Sequence, residues 1–166
     1  MSVVSLVKVS HRNSRLACVH PLGILYLAAA LRRDRPGRHA FLLHDMNLRR
    51  ESPEETAALV LRAAPDVLGL SAMTHDAQAA HALARLVKAR RPETVVVLGG
   101  PYAEGDVGKI LANEAIDYVA VGEGERAFCA LMRELEAGER ESRVPGVAYR
   151  RGREVVANPA ETPMTG

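Results

Sequence analysis

Short runs of β-branched and aliphatic residues alternate along this chain with longer stretches in which apolar positions recur every three or four residues. Residues 3–9 (VVSLVKV) read as a first strand, followed by a long polar loop from Ser10 to about His20. Pro21 opens a helix in which Ile24, Leu27, Ala28 and Leu31 share a face, and Pro36 and Gly37 stop it. Residues 40–44 form a second strand. Ser52, followed by Pro53 and Glu55, has the make-up of a capping box and starts a helix that Pro65 ends. Residues 66–71 form a third strand, and Asp76 is placed to cap a helix with Ala80, Leu83, Leu86 and Val87 as its buried stripe.

Residues 94–98 make a fourth strand that ends abruptly in Gly99, Gly100 and Pro101. A helix through Val107, Ile110 and Leu111, a fifth strand over residues 116–121 and a helix carrying Phe128, Leu131, Met132 and Leu135 complete the alternation. Five strands interleaved with five helices require right-handed crossovers, so the expected class is α/β: a doubly wound five-stranded parallel sheet with helices on both faces. After Gly138 the pattern changes to two short strands around Gly152, a C-terminal β-hairpin, and then to a tail with two prolines and no apolar period. The expected division is residues 1–138 as the main domain and residues 139–166 as hairpin and linker.

With 166 residues, 48% of them apolar, the chain suits one domain with a core of ordinary size. Its net charge of +2 comes from basic residues scattered among acidic ones, so no nucleic-acid partner is indicated. The densest basic run, residues 32–38, reads as a solvated helix end where cations suit the dipole. Cys18 and Cys129 form neither a disulfide framework nor a zinc motif, which points to the reducing cytoplasm. No apolar stretch approaches the roughly 20 residues of a membrane span, so no membrane partner is expected.

Three strand ends converge at the carboxyl edge of this sheet: Ser71 with Met73 and Thr74, Gly99 and Gly100 with Tyr102, and Gly122, Glu123 and Gly124 with Glu125. Ligands of open α/β sheets sit outside that edge, and glycine there lets a ligand approach the backbone. Together with the following helix amino ends, these residues suit a phosphate-bearing or amide-rich ligand with a flat apolar part. Strand-to-helix turns also need glycines and small caps for their own sake, so both readings stand at this point. Glu123 and Glu125 suit the first turn of a helix, and no catalytic residue is assigned. The six histidines have no metal-ligand spacing, so no protein metal site is assigned either, and nucleotide-binding and serine-hydrolase motifs are absent.

The ordered set PLGILYLAA (residues 21–29), PDVLGLS (65–71), VLGGPY (97–102), DYVAVGEGE (117–125) and VPGVAY (144–149) resembles the cobalamin-binding domain of cobalamin-dependent radical SAM enzymes. The resemblance implies a Rossmann-like domain that holds cobalamin with its nucleotide tail in the crevice lined by residues 71–74, Gly99, Gly100 and the turn at residues 122–125. It further implies a radical SAM domain, in cis or in trans, that carries SAM and an iron–sulfur cluster; two cysteines cannot ligate a cluster that needs three or four. The D-x-H-x-x-G motif that supplies a histidine to cobalt in other cobalamin domains is absent, leaving His11 or His20 as candidate axial ligands. On this reading the chain is a cobalamin-binding module for methyl transfer that does not turn over alone. The alternative is a doubly wound interaction or regulatory domain that binds no cofactor.

Overall fold

Every expected strand joins one mixed sheet in the computed structural model, which describes residues 1–10 and 20–160. The strands are β1 (Ser2–Lys8), β2 (His39–Asp45), β3 (Val67–Ser71), β4 (Val95–Gly99), β5 (Tyr118–Ala120), β6 (Val147–Arg151) and β7 (Glu154–Ala157). Their order is β2-β1-β3-β4-β5-β6-β7. The first five are parallel, while β6 and β7 are antiparallel additions. The sheet thus has seven strands where the sequence pattern gives five, because the C-terminal hairpin pairs onto the edge of β5. Gly152, at φ +62°, takes the positive-φ position of the two-residue loop between Arg151 and Glu154.

The helices are α1 (Leu22–Asp34), α2 (Met46–Arg49), α3 (Pro53–Ala63), α4 (Ala77–Arg90), α5 (Val107–Leu111) and α6 (Gly124–Glu136). One of their starts is local chemistry read directly from sequence. Ser52 Oγ accepts from the Glu55 N–H and the Glu55 carboxylate accepts from the Ser52 N–H, closing the capping box. Asp76 departs from expectation: it stands at the N-cap of α4 without a side-chain capping bond. A 3₁₀ turn over Thr74–Asp76 precedes the helix and turns the carboxylate inward, where it is 3% exposed and pairs with His75 at 3.4 Å.

Helices α1 and α6 cover one face of the sheet, and α3, α4 and α5 the other. On the first face Ile24, Ala28 and Leu31 of α1 and Phe128, Leu131 and Met132 of α6 pack on Val4, Leu6, Val67, Val95 and Val97. The expected stripes are therefore buried, with Leu27, Leu86 and Leu135 at their half-buried margins. The charged end of α1 is tied to α6: Asp34 pairs with Arg133, and Glu136 of α6 pairs with Arg38 at 3.2 Å and with Arg35 at 3.5 Å.

The chain passes from β2 across β1 to β3, so the connections after β1 and β3 diverge to opposite faces. That switch point lies at the carboxyl edge, where ligands of such sheets bind. The hairpin returns the chain to the same edge: Val121 donates to the Gly146 carbonyl at 2.8 Å, and Gly146 donates to Asn158 at 3.1 Å.

Candidate functional site

Side-chain size falls away along one face of the sheet. Successive side chains of a strand point to opposite faces, so every second residue belongs to one row. On the α1/α6 side β3 presents Val67, Gly69 and Ser71, and β4 presents Val95, Val97 and Gly99. Tyr118 and Ala120 of β5 lead to Gly122. Valine and tyrosine fill the space under the helices at the amino ends. Glycine and serine leave it open at the carboxyl ends, and a cleft of about 550 Å³ runs between α1 and α6. Gly23, Ile24 and Leu27 form its α1 wall, Gly122 to Glu125 its mouth, and Phe128 its floor.

The two glycines that end β4 are glycine for different reasons. A Cβ built on Gly99 meets only the Ala120 carbonyl oxygen, at 3.6 Å, so the missing side chain leaves open space. Gly100 sits at φ +84° and ψ −177°, a region that is essentially glycine's alone. Its Cβ would lie 2.9 Å from the Ala72 carbonyl oxygen and 3.0 Å from the Ala72 nitrogen. Gly100 lines the cleft, but its identity answers to the packing of β4 against the end of β3.

A smaller cleft of about 320 Å³ adjoins the first at the switch point and shares Gly23, Ile24 and Ser71 with it. It is more polar. Lys8, Ser10, Asn47, His75 and Asp76 line it, and Lys8 Nζ pairs with Asp45 at 3.1 Å.

Of the residues proposed from sequence, Ser71, Gly99, Gly100, Gly122, Glu123 and Gly124 come together around the larger cleft. Met73 lines the smaller one, its side chain partly exposed. Thr74 heads the 3₁₀ turn outside both linings. Tyr102 is turned to the opposite face by the 3₁₀ turn Pro101–Glu104, where it packs on the core beside α4. Its hydroxyl is 3.0 Å from His81 Nε2. Asn113 Nδ2 donates to His81 Nδ1 at 2.9 Å and to the His81 carbonyl at 3.2 Å, so Nε2 carries the imidazole hydrogen and donates to Tyr102. Burial, and after it the Arg85 guanidinium, lowers the His81 pKa below the ordinary imidazole value. His20 is exposed at the rim of the smaller cleft, and His11 lies outside the described residues.

Sequence reasoning missed Gly23, Leu27, Gly69, Val97, Ala120 and Phe128 as lining residues. The signal that finds the strand members is present: read at every second position, β3, β4 and β5 each taper toward glycine or serine. Helical members carry no such signal, since which helix flanks the taper depends on the crossovers. Among the described residues no three His, Cys, Asp or Glu converge on a metal position, and no helix is long and apolar enough to cross a membrane.

Known proteins share this fold. Residues 12–132 match the model of the B12 binding domain. The 2-(S-pantetheinyl)-carbapenam-3-carboxylate methyltransferase of Streptantibioticus cattleyicolor is 42% identical over 100 residues, which is 58% of this chain but 15% of that protein. The cobalamin-dependent S-adenosylmethionine radical enzyme OxsB, solved with aqua-cobalamin bound, superposes with a TM-score of 0.83 at 20% identity, covering 98% of this chain and 23% of that one. The radical S-adenosylmethionine methyltransferase TsrM of Kitasatospora setae, solved with cobalamin and a [4Fe-4S] cluster, gives a TM-score of 0.77 at 20% identity, over 98% of this chain and 30% of its own. The chain thus spans a small part of the enzymes it matches, and the part it spans is the doubly wound sheet with its open carboxyl edge. With the family model extending over most of that sheet, the chain belongs to the B12-binding domain family.

Proposed function

We propose that this chain binds cobalamin at the carboxyl edge of its sheet, with the nucleotide tail in the cleft between α1 and α6. The observation that carries the reading is the taper of β3, β4 and β5 to Ser71, Gly99 and Gly122 on one face, with open space at the missing Gly99 side chain. The donor set fits the group. The floor is apolar, which suits a flat aromatic base, and the hydroxyl of Ser71 and the amino end of α6, both on the lining, would hold a polar linkage. Gly23 of α1, whose missing Cβ would lie 3.9 Å from Ser71 Oγ, adds no side chain at the boundary of the two clefts.

When bound, a corrinoid supplies a cobalt centre able to carry a methyl group. The chain's own residues bind and orient it: Gly99 and Ser71 form the sheet wall, Gly122 and Gly124 let α6 begin without blocking the mouth, and Ile24 and Leu27 exclude water from the opposite side. Residues 1–138 carry these walls. Residues 139–166, which include the hairpin on β5, are the linker toward a radical SAM domain that acts in cis or in trans and holds SAM and an iron–sulfur cluster. The assembly works in the cytoplasm, and this chain alone does not turn over.

The test is to mix the protein with hydroxocobalamin, remove free cofactor by gel filtration and record the visible spectrum of the protein fraction. Near-stoichiometric corrinoid is expected. Gly99→Val places a branched side chain in the open wall, so it loses the corrinoid while its far-UV spectrum stays native. A colourless wild-type fraction supports the alternative, a doubly wound interaction or regulatory domain without cofactor. Equal uptake by Gly99→Val shows that the ligand sits elsewhere.

A further inference from the structure

The floor of the larger cleft is built on a different use of glycine from its wall. Phe128, one turn into α6, is 3% exposed and reaches the sheet at Gly69, where its Cζ is 3.6 Å from the place a Cβ would occupy. Leu6 Cδ2 fills the same place from β1, at 2.7 Å. The side chain missing at Gly69 is thus replaced by protein, while the one missing at Gly99 leaves a gap. Polar groups collect at the mouth, in Ser71, Glu123 and Glu125, and the deep end is Val97 and the Phe128 ring. The ring has no room to move further in, since its tip is packed at Gly69 beside Leu6 in the same core cluster, and close-packed interiors give way only by repacking.

We infer that Phe128 is a specificity-determining residue: its ring is the stop that sets how long an aromatic base the cleft accepts. This rests on the corrinoid-binding reading above and adds to it the size class of the tail. A two-ring base meets the edge of Phe128, and a base extended by a third fused ring collides with it.

The experiment compares dissociation constants for cobalamin, whose base is a benzimidazole, and for its analogue with a naphthimidazole base, on the wild-type chain and on Phe128→Leu. Wild type is expected to favour cobalamin by about tenfold or more, the size of discrimination an apolar pocket gives for a small change in ligand length. Leucine lacks the outer ring atoms, so the preference narrows to within about threefold in Phe128→Leu. Phe128→Met, flexible and of similar volume, carries the same expectation if the leucine variant does not fold. An unchanged preference in the folded variant, or a wild type that takes both ligands equally, overturns the inference. A wild type that takes up neither corrinoid overturns the binding reading itself and this inference with it.

Discussion

Replacing Gly100 by alanine should unfold this protein far more readily than the same change at Gly99, one residue earlier. At φ +84° and ψ −177° an L side chain costs about 1–3 kcal/mol in backbone strain alone. The new Cβ would also stand 2.9 Å from the Ala72 carbonyl oxygen and 3.0 Å from its nitrogen. Those atoms are already engaged: the carbonyl accepts from Tyr102 N at 3.0 Å, and the N–H donates to the Gly99 carbonyl at 3.1 Å. Moving them weakens two hydrogen bonds, each worth about 1 kcal/mol. The expected loss is therefore about 3–5 kcal/mol, a large part of the stability of an ordinary domain. Gly99→Ala meets only the Ala120 oxygen at 3.6 Å and removes a flexible glycine from a strand, so stability at or slightly above wild type is expected. Equilibrium urea unfolding followed by far-UV circular dichroism measures both, with unchanged slopes showing that the midpoints report stability. A loss below about 1 kcal/mol in Gly100→Ala refutes the reasoning, as does a Gly99→Ala loss of the same size.

Other predictions address parts of the fold that frame the site. Because burial holds the His81 pKa below its ordinary value, the unfolded chain takes up a proton that the folded chain resists. Stability should hold above the ordinary imidazole pKa of about 6.5 and fall as the pH drops below it, with a shallower fall in His81→Gln; urea midpoints at several pH values check the sign and the slope. Arg150 of β6 donates to the Leu111 carbonyl and, at 3.1 Å, to the Glu114 carbonyl, holding the hairpin to the end of α5. Arg150→Ala should cost about 1.5–3 kcal/mol and raise amide exchange in β6 and β7 before the parallel strands; uniform exchange across the sheet would count against it. Ser52→Ala opens the capping box of α3 and should cost about 1 kcal/mol without altering corrinoid uptake, measured by unfolding and by gel filtration.

Features that depend on near neighbours along the chain are legible in the order of residues. The strands, the helices other than the single-turn α2, the buried stripes of α1, α4 and α6, the Ser52 capping box and the hairpin loop at Gly152 follow from periods of two and 3.6 and from turn chemistry, which act over a few residues. The order of residues also locates the carboxyl edge as the place for a ligand, since parallel strands with short turns put their ends on one side. Which of those end residues border the cleft is set by packing between elements far apart in the chain. Gly99 and Gly100 look alike in sequence, yet one borders open space and the other is wedged against Ala72, because β3 lies beside β4. Tyr102 follows the same turn and leaves the site for His81 on α4, since a 3₁₀ turn changes the face to which side chains point. Phe128 reads as an ordinary core residue of α6 and becomes the floor of the cleft only where α6 crosses Gly69. The hairpin became part of the sheet because β5 had a free edge beside it. Each of these outcomes is a contact between residues distant in sequence, and no local period encodes the distance of that approach.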